Sequence, residues 1–83
     1  VLHQNEPNPA SDNFKINYEL PRDGQIRFEL RNSLGQLIKV IEGNRSAGNH
    51  TIELDAQSMA AGVYYYSLKF GEASKTLKMV VTK

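Results

Sequence analysis

Apolar and polar residues alternate along most of this chain. Phe14, Ile16, Tyr18 and Leu20 are separated by Lys15, Asn17 and Glu19. A period of two predicts a half-buried strand, one face apolar and the other wet. Pro21 ends the run, and Arg22-Asp23-Gly24 supplies turn chemistry. Ile26, Phe28 and Leu30 then alternate with Gln25, Arg27, Glu29 and Arg31 as a second strand. Asn32 to Gln36 reads as a turn in which Gly35 is available for a positive φ. Leu37 to Glu42 predicts a third strand, whose Leu37-Ile38 and Val40-Ile41 pairs leave its inward face undecided. Gly43 to Asn49 reads as a loop, and Thr51 to Asp55 as a strand with Ile52 and Leu54 inward.

Ala56 to Ala61 reads as a single helical turn, too short to stand without packing. Gly62 releases the chain into Val63 to Phe70, with Tyr64, Tyr66, Leu68 and Phe70 on one side and Tyr65 on the other. Gly62-Val63-Tyr64 after a short corner has the arrangement of a tyrosine corner, in which a hydroxyl ties the corner to backbone. Gly71 to Ser74 turns the chain into a last strand whose core face is Leu77, Met79 and Val81. These two runs predict a hairpin, and its second strand is also the end of the polypeptide. Chain ends fray unless they are tied down. A terminus this rich in valine and methionine is expected to be docked in a sheet, where another protein can read it.

Six or seven short strands, turn signals about 8–12 residues apart and no long helix predict an all-β antiparallel sandwich. Residues 1–83 are expected to form one domain, because a chain this short has no room for a second core. Residues 1–13, with Asn5, Asn8, Asn13, Pro7 and Pro9, read as an extended lead-in or linker.

Composition narrows the classes. The chain is 40% hydrophobic and 23% charged, with a formal charge of +1 and interspersed signs. That is globular composition, with no basic stripe for nucleic acid and no apolar run of membrane-spanning length. Cysteine is absent, so the domain is held by packing alone and has no thiolate metal site. The start at Val1, with no signal segment following, is expected of a piece cut from a longer precursor.

Candidate chemistry is sparse. His3 and His50 lie far apart and lack further ligands at metal-site spacing. The carboxylates fall at outward strand positions or in turns, where charge guards edges. No nucleophile elbow is present, and a small sandwich offers little room for a catalytic cleft. Asn44-Arg45-Ser46 fits the N-glycosylation pattern but reads as a polar turn. No enzyme, cofactor or metal is expected.

The ordered motifs carry a resemblance. Gln4-Asn5-Glu6-Pro7-Asn8-Pro9 precedes the strand Phe14 to Leu20, followed by Gly35-Gln36, Ala47-Gly48-Asn49-His50, Ala61-Gly62-Val63-Tyr64-Tyr65-Tyr66 and the terminal Lys78-Met79-Val80-Val81-Thr82-Lys83. In order, spacing and terminal position they resemble the C-terminal sorting domains, type A, of the type IX (Por) secretion system of Bacteroidetes. Arg31 and Leu54 depart from that pattern, in which aromatic residues are frequent at both places. The resemblance implies an immunoglobulin-like sandwich of about seven strands that acts as an address for an upstream cargo domain. It implies an outer-membrane translocon and a sortase-like transpeptidase as partners. The route runs through the periplasm to the cell surface or beyond, with cleavage at or upstream of Val1 to Gln4.

Carried over by position, the signal residues are Asn8, Pro9, Gly35, Gly48, Gly62, Val63, Tyr64, Lys78, Met79, Val80, Val81 and Lys83. The glycines are expected to permit turns. The last strand is expected to contact the translocon, with unpaired edge groups available for β-augmentation. The same edges are expected to allow a homodimer. The alternative function is a carbohydrate-binding or adhesive sandwich module at the end of a secreted enzyme, with an exposed aromatic platform.

Overall fold

The alternating runs all become strands. The computed structural model describes residues 1–82, and among these it places six strands and one short 3₁₀ turn. They are β1 (Asn13–Leu20), β2 (Gly24–Asn32), β3 (Leu37–Arg45), β4 (Gly48–Asp55), the turn Ala56–Ser58, β5 (Gly62–Phe70) and β6 (Ala73–Val81). β1 and β4 pair as one antiparallel sheet, and the other is four-stranded in the order β3-β2-β5-β6. Phe14, Ile16, Tyr18 and Leu20 of the small sheet meet Ile26, Phe28, Leu30, Tyr66, Leu68 and Met79 of the large one in a single core. The fold is therefore the antiparallel sandwich the periodicity predicts. The expected β5–β6 hairpin is present, turning at Gly71, whose φ is +59°.

Residues 43–49 differ from the expected loop. β3 runs on to Arg45 and β4 resumes at Gly48, leaving only Ser46 and Ala47 between them. Gly43, Asn44 and Arg45 pair with Ile26, Gln25 and Gly24, so the backbone ladder of β2 extends a stretch whose side chains carry no apolar signal. This connection switches sheets, as do the β1–β2 and β4–β5 links.

The undecided face of β3 has a topological cause. β3 is the outer strand of the larger sheet, and only part of it is covered. Leu37 and Ile38 stay 44% and 47% exposed, while Ile41 packs on the core. A bulge between Leu30 and Arg31 shifts the register at that end.

The lead-in is docked on both sheets. Its backbone bridges β1 at Leu2–Tyr18 and Glu6–Lys15, then crosses to the large sheet, where Ala10 bridges Val81 in parallel. Leu2, Asn5 and Ala10 are buried. Asn5 is satisfied locally, its Nδ2 donating to Pro7 O (2.7 Å) and its Oδ1 accepting from Gln4 Nε2 (2.7 Å). Among the described residues the strands therefore number six rather than about seven, and the lead-in joins both sheets through isolated bridges.

Candidate recognition surface at the terminal pole

Motif pieces scattered along the sequence converge at one end of the sandwich. The β5–β6 register sets Gly62, Val63 and Tyr64 opposite Val81, Val80 and Met79. The β2–β5 register brings Asn32, at the mouth of the turn containing Gly35, opposite Tyr64. Asn8 and Pro9 are exposed immediately before Ala10, whose N–H donates to Val80 O (2.8 Å) while its carbonyl accepts from Thr82 N–H (2.8 Å). Gly48 is the exception. It pairs with Leu20 at the opposite end, and Lys83 lies outside the described residues.

Local chemistry explains how each piece is held. Gly35 has φ +84°, a left-handed conformation that favours glycine, and its N–H donates to Asn32 O (3.0 Å). Asn32 Oδ1 accepts from the N–H groups of Leu34 and Gln36, both at 3.0 Å. Arg31 donates to Gly35 O (3.0 Å), so the arginine that departs from the sorting-domain pattern braces the same turn. Tyr64 is buried, and its hydroxyl donates to Ala60 O (2.6 Å), closing the corner after the 3₁₀ turn as the tyrosine-corner reading predicts.

The terminal strand is half core and half surface. Met79 is 0% and Val81 2% exposed, whereas Lys78 and Thr82 are exposed and Val80 is half-buried on the outer face. In the folded domain a partner can touch Lys78, Val80 and Thr82 but not the side chains of Met79 and Val81. β6 is an edge strand, yet its C-terminal half is already capped. Besides the Ala10 bonds, Gln4 Nε2 donates to Lys78 O (2.8 Å). The outward backbone groups of Ser74 and Thr76 have no neighbouring strand among the described residues. The unpaired edge is therefore narrower than expected and lies toward the β5–β6 turn.

The outer face of the large sheet carries a charge network that residue types alone do not reveal. Glu29 is buried under Arg27 (Nε–Oε2 2.7 Å) and Arg31 (3.4 Å), and Arg27 also reaches Glu42 (2.9 Å). The Arg27 hydrogen bond holds the Glu29 carboxyl below its ordinary range against the opposing effect of burial. Along one row Arg31 lies opposite Tyr65, and Tyr65 opposite Lys78, so a 41%-exposed ring sits between two cations. With Lys69, this face presents four cations against Glu29 and Glu42. The outer face of the small sheet reverses the sign, setting Lys15 among Glu6, Glu19 and Glu53. A net charge of +1 conceals two faces of opposite polarity.

His3 Nε2 lies 2.7 Å from Glu19 Oε2, and His50 stacks on Tyr18 with ring centroids 5.2 Å apart. Among the described residues no cluster of three or more metal-ligating side chains occurs.

No curated protein and no solved structure matches this chain. A family model described as the secretion system C-terminal sorting domain matches residues 7–82, which takes in the capped end of the lead-in, both sheets and the terminal strand. The chain belongs to that family, and it is a C-terminal sorting signal for type IX secretion.

Proposed function

We propose that the folded domain is read by the outer-membrane translocon at the terminal pole and on the adjoining outer face of the large sheet, and is then removed by a sortase-like peptidase. The supporting observation is the convergence of Asn8-Pro9, the Gly35 turn, Gly62 to Tyr64 and Lys78 to Val81 at one end of the sandwich. Val1 lies at the other end, paired with Glu19, so cargo attached there leaves the reading surface clear. Recognition uses Lys78, Val80, Thr82 and the Arg31–Tyr65–Lys78 row, while Met79 and Val81 hold that surface in shape. Cleavage takes place upstream of the paired lead-in, because a peptidase needs an extended segment that is not already bonded in a sheet. Tyr65 is the only exposed Phe or Tyr side chain among the described residues, which gives a carbohydrate platform one such ring to work with.

The test is export of a signal-peptide-bearing fluorescent protein fused to residues 1–83 in a host with an active type IX system. The fusion is expected outside the cell. A Lys78→Glu, Val80→Asp double variant, shown to be folded by circular dichroism, is expected to remain in the periplasm. Normal export of that variant would move recognition away from this pole.

A further inference from the structure

At the pole opposite the terminal motif the two sheets part. Leu2, Leu20, Pro21, Leu68, Phe70 and Ala73 line an open groove of ≈440 Å³ between them, together with the charged side chains of Glu19, Arg22, Glu72 and Lys75. Val1 stands on its rim, 70% exposed. The guanidinium of Arg22, which also lines the groove, lies over the Phe70 ring, 4.9 Å from its centroid. Gly24 keeps that ring in place, since a Cβ there would sit 2.6 Å from Phe70 Cε1.

The register of the lead-in says what approaches this groove. Val1 and Glu19 exchange both backbone hydrogen bonds (2.8 Å each), Leu2 bridges Tyr18, and His3 N–H donates to Asn17 O (3.0 Å). Continuing that antiparallel ladder sets the residue preceding Val1 opposite Leu20. That position is a non-hydrogen-bonded pair, the kind in which facing side chains come closest. Alternation gives it the same face as Leu2, which points inward and is buried. A side chain at that position would face the groove beside Leu20.

We propose that this groove is the seat of the residue joined to the Val1 nitrogen in the cargo precursor, and that this residue is apolar. The inference rests on the reading of the chain as a sorting domain attached to upstream cargo. It makes the structural unit at least one residue longer than the chain described, and it gives the cargo junction a fixed exit beside Pro21. A peptidase that releases the cargo and leaves this residue seated then acts upstream of it.

The experiment uses the precursor segment comprising the natural residues immediately upstream of Val1 followed by residues 1–83, isotope-labelled for NMR. Nuclear Overhauser contacts are expected from the side chain preceding Val1 to Leu20, Leu68 and Phe70, together with a ring-current shift from Phe70. Replacing that residue with Asp is expected to abolish the contacts and lower the urea midpoint, while the remaining spectrum stays dispersed. A polar, glycine or proline residue in the natural sequence, random-coil shifts at that position, or equal midpoints for the natural and Asp forms would each overturn the proposal. Export is scored separately. Contacts present with export lost would tell against the recognition surface and leave the seat standing.

Discussion

Two tyrosines in adjacent core positions serve different ends of the chain. Tyr64 closes the corner behind the 3₁₀ turn through Ala60 O, and Tyr66, fully buried, donates to His3 O (2.8 Å) and so clasps the lead-in. Tyr64→Phe keeps the ring and loses one buried hydrogen bond. A loss of about 1 kcal/mol in urea unfolding, without a change of fold, is expected. Glu29 and Tyr66 set the pH limits. Arg27 lowers the Glu29 carboxyl, so its contribution is complete above the ordinary carboxylate range of about pH 4–5 and is lost as pH falls through the lower folded value. Burial pushes the Tyr66 phenol up from 10.0 to about 12. Its contribution is complete below pH 10.0 and disappears as pH rises toward about 12. Urea midpoints across pH should therefore fall at both ends. Glu29→Gln is expected to flatten the acid limb and Tyr66→Phe the alkaline one.

At the scale of elements, β6 alternates residue by residue between side chains packed in the core and side chains open to solvent. Met79→Ala removes a fully buried side chain and is expected to cost about 2–5 kcal/mol, so any export defect it causes would follow from unfolding. For the same reason, deleting Met79 to Lys83 cannot separate a lost label from a lost core. Thr76→Pro makes the separation at the free edge. The Thr76 N–H points away from β5, in register with the outward N–H of Thr82, so proline there removes no ladder bond and blocks strand addition. The variant is expected to fold, as judged by circular dichroism. Its export reports whether the translocon pairs with this edge, and export at the parental level would show that it does not.

At the scale of the whole molecule, the lead-in belongs to the sandwich. It buries Leu2, gives Tyr66 its acceptor and covers β6 from Lys78 to Thr82. Removing residues 1–10 is expected to cost at least about 2 kcal/mol from the apolar surface of Leu2 alone. It should also uncover a strand edge that promotes association. Urea unfolding and sedimentation velocity check both, and an unchanged midpoint with a monomeric profile would show that the segment is dispensable. The polarity of the two faces likewise appears only at this scale. Pairing gathers Arg27, Arg31, Lys69 and Lys78 from three strands, while Glu6, Glu19 and Glu53 collect on the other side.

Local alternation carried the strands, the inward faces of β1, β2, β5 and β6, the tyrosine corner and the final hairpin, because period two is a property of neighbouring residues and holds whatever the strand pairs with. The order and spacing of the motifs were enough to point to the family. What the chain could not show by itself was contact between distant segments. The ladder that continues β3 through Gly43 to Arg45, the docking of Leu2 and Ala10, the burial of Glu29 under two arginines and the partial capping of β6 all depend on which strands become neighbours. Tertiary packing brings together residues up to 74 positions apart, as Gln4 and Lys78 are, and no local pattern encodes such a meeting. Tertiary structure alone decided that Lys78 to Val81 and Val1 stand at opposite poles.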